Sequence, residues 1–119
     1  MPEQRDPLLY LDDIIEACQK IQTYVEKAES DDFTENKMIV DAVIRNLEVI
    51  GEAVGNIPVP IRQKSSLVDW KRIKALRNVL AHEYFGVDLE IIADLVNNKV
   101  PELEKDIQQL QQKLEVDRE

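Results

Sequence analysis

The sequence predicts an all-α protein. Apolar residues recur at three- and four-residue steps along most of the chain, only 3 of 119 residues are glycine and 2 are phenylalanine, and 33% are charged. One domain spanning residues 1–119, with its core over about residues 8–114, is expected at this length without disulfides or structural metals.

Leu11, Ile14, Ile15, Cys18, Ile21, Val25 and Ala28 form one stripe and predict a first helix over residues 8–29. It opens after Asp6-Pro7, because proline has no N–H to lose in a first turn, and the polar run Ser30-Asp31-Asp32 ends it. Cys18 is the single cysteine, so no internal disulfide forms, and its place on the stripe marks it as a small core residue in a reducing cytosol.

The second helix is expected to start near Thr34, whose hydroxyl suits a cap, although Lys37 in the third position gives no capping box. Its apolar stripe is Met38, Ile39, Ala42, Val43, Leu47, Ile50 and Val54, and Asn56-Ile57-Pro58 stops it. Gly51 and Ala53 thin this helix for close packing. Arg45 and Glu52 are its polar residues placed to face a partner, with simple exposure as the common alternative.

Pro58 and Pro60 bracket a turn, residues 61–65 hold one short helical turn, and residues 66–68 form a loop. Asp69 caps the third helix, whose first turn holds Trp70, more often a core anchor than a platform for stacking bases. Phe85-Gly86 closes it, and Asp88 caps a fourth helix with Glu90 in its first turn. Ile92, Val96, Val100, Leu103, Ile107, Leu110 and Leu114 keep helical phase through Pro101, so this helix is expected to run to about residue 115 with a kink near the proline. The tail beyond should fray, and Gln108, Gln109, Gln111 and Gln112 read as a solvated face.

No apolar run approaches the length of a membrane span and the start Met-Pro-Glu-Gln is no signal peptide, so a soluble cytoplasmic protein is expected. The net charge of −9 opposes nucleic-acid binding as a whole, but it is unevenly spread. Arg62, Lys64, Lys71, Arg72, Lys74 and Arg77 stand against Asp69 alone, a net +5 that leaves −14 on the rest. That segment is a candidate substrate-binding surface, the acidic remainder steering nucleic acid toward it; lysines that merely solubilise a helix are the equal alternative.

The basic segment leads into Arg77-Asn78-Val79-Leu80-Ala81-His82-Glu83-Tyr84, which holds the only histidine of the chain. On a helix turning about 100° per residue, Ile73, Leu76, Val79 and Leu80 face one side and Asn78, Ala81 and His82 the other. Asn78 stands four residues before His82, where its amide can fix the imidazole tautomer, and Arg77 flanks them. Ala81 between them lets another molecule, or another copy of this helix, come close. Taken alone, His82 would more often be a histidine resting at a helix C-terminus.

The chemistry open to these residues is narrow. One histidine and one cysteine support neither a usual metal centre nor a nucleophilic triad, no glycine-rich phosphate loop exists, and no cofactor is expected. What remains is acid–base work by histidine beside charge stabilisation by arginine, which suits a phosphodiester whose own 2′-hydroxyl is the nucleophile, namely RNA. That scheme asks for an acid and a base. A symmetric homodimer supplies two histidines across a two-fold axis, unless Tyr84 or water is the second group.

The octet, with Arg45-Asn46-Leu47-Glu48-Val49-Ile50-Gly51-Glu52-Ala53, Trp70 and Phe85-Gly86-Val87-Asp88 around it, resembles HEPN-domain ribonucleases over about residues 8–114. The resemblance is strongest to the HepT-like toxins paired with minimal nucleotidyltransferase antitoxins. It implies a HEPN-type helical bundle of four to five helices, a homodimer with its two motifs facing one cleft, and RNA cleavage without a catalytic metal. It implies further that Arg77 and His82 are the catalytic pair, that Asn78 supports them, and that the antitoxin adenylylates Tyr84 to silence a type VII-like toxin. Arg45, Glu52 and Ala81 are the residues expected at the dimer cleft. A non-catalytic nucleotide-binding or scaffold subunit of a nucleotidyltransferase is the alternative, favoured by the acidic surface as the intact Arg77 and His82 favour the enzyme.

Overall fold

A computed structural model describes residues 5–28, 32–82 and 88–118, without the side chains of residues 77–82 and 118. Every regular element among the described residues is helical: α1 (Pro7–Glu26), a 3₁₀ turn (Phe33–Glu35), α2 (Lys37–Asn56), α3 (Val59–Arg62), α4 (Trp70–His82), α5 (Leu89–Asp94), a π-helical turn (Leu95–Lys99) and α6 (Val100–Arg118). The predicted all-α bundle is therefore what forms. α1 packs against both α2 and α6, and α2 carries α4 on its other side.

α1 is opened by the Asp6 carboxylate, which accepts the Leu8 N–H at 3.0 Å, with Pro7 in the first turn where no N–H is required. Leu11, Ile14, Cys18 and Ile21 recur at helical spacing and are fully buried, each aliphatic side chain contributing about 1.5–3 kcal/mol by leaving water. The helix ends at Glu26, three residues short of the expected end, so Ala28 packs on the core from beyond it.

The start of α2 differs from expectation. Asp32 accepts both the N–H and the hydroxyl of Thr34, at 3.0 and 2.5 Å, which folds residues 33–35 into a 3₁₀ turn and buries Phe33. Those two bonds, the hydroxyl's first, hold the Asp32 carboxyl below its ordinary pKa. Thr34 is thereby spent on Asp32, and Asn36 caps α2 instead, its Oδ1 accepting the Ile39 N–H at 3.2 Å. Met38, expected on the core stripe, is 81% exposed in the first turn, and Val40 and Ile44 take buried places. Gly51 and Ala53 face inward, so the thin part of α2 is used for packing inside this chain.

α3 forms at residues 59–62, earlier than the expected 61–65, because Pro60 fits a first turn that needs no N–H and Pro58 precedes it. At the other end of the chain the Asp88 carboxylate accepts the Glu90 N–H at 2.8 Å and caps α5. The helix widens just before Pro101, where the Val100 N–H reaches back to the Leu95 carbonyl. This π turn makes room for the ring of Pro101, which has no N–H to donate, and the apolar phase survives, with Ile92, Val96, Val100, Ile107, Leu110 and Leu114 all buried.

The expected fraying of the tail does not occur before Arg118. Lys64 pairs with Asp117 at 3.5 Å, and the Lys113 ammonium donates to the Lys64 carbonyl at 3.3 Å, which secures the last turns of α6. Gln111 is not part of a purely solvated face either, since its amide donates to Asp12 on α1; Gln108, Gln109 and Gln112 are exposed. No helix among the described residues is long and apolar enough to cross a membrane.

Candidate active site

α4 is the scaffold of the site, and its sequence makes a helix for local reasons. Lys71, Arg72, Lys74, Ala75, Leu76, Leu80 and Ala81 are strong helix formers, and the Asp69 carboxylate accepts the Arg72 N–H at 3.1 Å to cap the first turn. Trp70 is half-buried against the core and its indole N–H donates to the Arg62 carbonyl at 2.9 Å, so the tryptophan anchors the helix. Ile73 and Leu76 also pack on the core.

The backbone of α4 stays helical through His82, which sets Arg77, Asn78, Ala81 and His82 on one uninterrupted helix. Their side chains lie outside the described residues, as do the whole of Tyr84 and the closing pair Phe85-Gly86. On this backbone Asn78 and His82 stand four residues apart, about 40° in rotation.

The basic segment divides in two. Lys71, Arg72 and Lys74 are exposed on α4, Arg72 lying 3.8 Å from Asp69. Arg62 is half-buried at the end of α3, and Lys64 is turned toward Asp117 at the end of α6, so neither shares the free surface of the α4 cations. Arg45 and Glu52 are both exposed on α2, two turns apart on one face.

Cys18 is no nucleophile in this fold. Burial, with Glu104 adding a smaller push, drives its thiol up to about 12. Among the described residues no group of three or more His, Cys, Asp and Glu side chains is placed to hold a metal ion.

One feature beside the motif helix escapes the sequence. A groove of about 490 Å³ runs between α4 and the α5–α6 arm, floored by Leu47, Ile50, Ile73, Leu76 and Leu103. Its signals were weak: Leu67 is a single leucine in a loop, and Ile91 adjoins Ile92 but lies off the stripe that Ile92 begins.

Residues 14–110 match the family described as ribonuclease HepT-like. The chain is 39% identical over 109 residues to a protein of Caldanaerobacter subterraneus subsp. tengcongensis named as a candidate RNase, covering 92% of this chain and 97% of that one. It is 36% identical over 101 residues to a candidate HepT ribonuclease of Thermococcus cleftensis, covering 85% and 92%. A protein of Methanocaldococcus jannaschii named both as a gamma-glutamylcyclotransferase and as a candidate RNase is 36% identical over 112 residues; the match takes in 94% of this chain but spans half the length of that relative. No solved structure matches the chain significantly. With a family match over most of its length and relatives aligned nearly end to end, the chain belongs to the HepT-like ribonuclease family.

Proposed function

We propose that the protein is a metal-independent endoribonuclease that works as one domain in a cytoplasmic homodimer, as the toxin of a type VII-like toxin–antitoxin module. The observation that carries this reading is the placement of Arg77 and His82 within the family match, on a helix whose backbone runs unbroken through both. In the proposed reaction one histidine takes the proton of the RNA 2′-hydroxyl, and the 2′-oxygen bonds to phosphorus as the bond to the 5′-oxygen breaks. The second histidine, from the other copy, gives that leaving oxygen a proton, so the products are a 2′,3′-cyclic phosphate and a 5′-hydroxyl. Arg77 offsets the charge that builds on the phosphoryl oxygens, Asn78 orients His82, and Lys71, Arg72 and Lys74 draw in the phosphate backbone.

A minimal nucleotidyltransferase antitoxin silences the enzyme by adenylylating Tyr84. Added phosphate there competes with the RNA phosphate for the same cations, and its bulk closes the entrance. The reading is tested by incubating the purified protein with RNA in the presence of a chelator. Cleavage by the wild type and none by His82→Ala is the expected outcome.

A further inference from the structure

The exposed cations of α4 are not equivalent. At about 100° per residue, the backbone that runs unbroken through His82 sets Arg77 and His82 about 140° apart, and Lys74, Asn78 and Lys71 all fall on the arc between them. Arg72 falls about 80° beyond the His82 edge of that arc. Its contacts agree with that rotation: Arg72 lines the groove and lies 3.8 Å from Asp69, whereas Lys71 and Lys74 stay outside the groove and hold no ion pair among the described residues.

A rise of about 1.5 Å per residue puts Lys74 about 12 Å and Lys71 about 16 Å along the axis from the level of His82. About two nucleotides of an extended strand cover the first distance and about three the second. The rest of the chain is strongly acidic and repels phosphate, so these two lysines mark the path open to a strand that leaves the motif. In-line attack adds a condition, because the 2′-oxygen must stand opposite the leaving 5′-oxygen, which an unpaired strand can reach and an A-form duplex cannot. We infer that Lys74 and Lys71 are phosphate subsites on one side of the cut, and that the substrate is an unpaired RNA strand laid along α4. This rests on the endoribonuclease reading above, to which it adds the substrate class and the two subsites. Arg72, on the other side of the helix, adds only to the long-range attraction.

The test is kcat/KM in chelator for an unpaired RNA oligonucleotide, trimmed from either end, with the wild type, Lys71→Ala, Lys74→Ala and Arg72→Ala. The wild type should lose at least about tenfold when one side of the cut is trimmed below about three nucleotides, and less when the other side is. Each lysine variant should lose about three- to tenfold on the full strand, with a salt dependence shallower by about 0.7 in log–log slope. That loss should shrink once the strand no longer reaches the missing cation, at a shorter length for Lys74→Ala than for Lys71→Ala. Arg72→Ala should cost full and trimmed strands the same factor, and a duplex of the same sequence should be cut at least about tenfold more slowly. A wild type that cuts full and trimmed strands equally, or an Arg72→Ala loss that follows strand length as the lysine losses do, overturns the subsites and leaves the enzyme standing. A duplex cut as fast as the single strand overturns the substrate class. A wild type that cuts no RNA overturns the endoribonuclease reading as well.

Discussion

The indole N–H of Trp70 donates to the backbone carbonyl of Arg62 at 2.9 Å, tying the first turn of α4 to the end of α3 across the loop between them. This bond anchors the first turn of the motif helix, which the Asp69 carboxylate caps. Trp70→Phe keeps an aromatic ring in place but leaves that carbonyl without its partner, a loss of about 1–2 kcal/mol in urea unfolding. RNA cleavage should fall with it, because α4 carries Arg77 and His82. An unchanged unfolding midpoint would mean that the bond does not hold the helix.

Glu104 on α6 accepts from the amides of Gln22 at 2.7 Å and Gln19 at 3.2 Å, both on α1. The three residues clamp the two helices above buried Cys18. Glu104→Ala should cost about 1–2 kcal/mol, reduced from the usual worth of two charge-assisted bonds because Gln19 is exposed. Glu104→Gln, which keeps one acceptor oxygen, should recover part of it in the same denaturation series.

Cys18 makes stability depend on alkaline pH. Its thiol is held neutral up to about 12 in the folded chain, against 9.0 ordinarily, so the unfolded chain loses the proton first. The contribution is therefore complete below about pH 9 and declines as pH rises toward about 12, at up to about 1.4 kcal/mol per unit. Cys18→Ala should lower stability at neutral pH and flatten this decline. Equal slopes in the two proteins between about pH 8 and about pH 10.5 would contradict the assignment.

Tyr84 is expected to act as the switch. After incubation with a cognate nucleotidyltransferase and ATP, intact-mass analysis should show adenylate on the wild type and none on Tyr84→Phe. RNA cleavage should fall as the modification accumulates. Full cleavage by completely modified protein would refute the switch.

The core was legible because burial imposes a period on the chain. Leu11, Ile14, Cys18 and Ile21 on α1, and Ile92, Val96, Val100, Ile107, Leu110 and Leu114 on the last helical arm, are buried where their spacing placed them, with Leu103 half-buried among the latter. Asp69 and Asp88 were legible as caps because each stands alone before an apolar-periodic run. Asn36 was not, since Asp32, Thr34 and Asn36 are all good caps within five residues, and only the Asp32–Thr34 bonds decide among them. Met38 is exposed because it lies about half a turn of α2 away from Leu47 and Val54, on the face of the exposed Arg45 and Glu52, so a stripe that includes it is drawn too wide. The octet from Arg77 to Tyr84 stands out in the sequence as a motif, whereas the groove beside it does not, because a groove arises from where two distant helices fail to touch.

The central claim is that Arg77 and His82 cut RNA without a metal. Its most direct test is the single-turnover cleavage rate of an RNA oligonucleotide in chelator, measured for the wild type, Arg77→Ala and His82→Ala, with the product ends identified. The wild type should leave 2′,3′-cyclic phosphate ends, and each variant should cleave at least about 100-fold more slowly. Cleavage that requires an added divalent cation, or that proceeds at the wild-type rate without His82, would contradict the central claim.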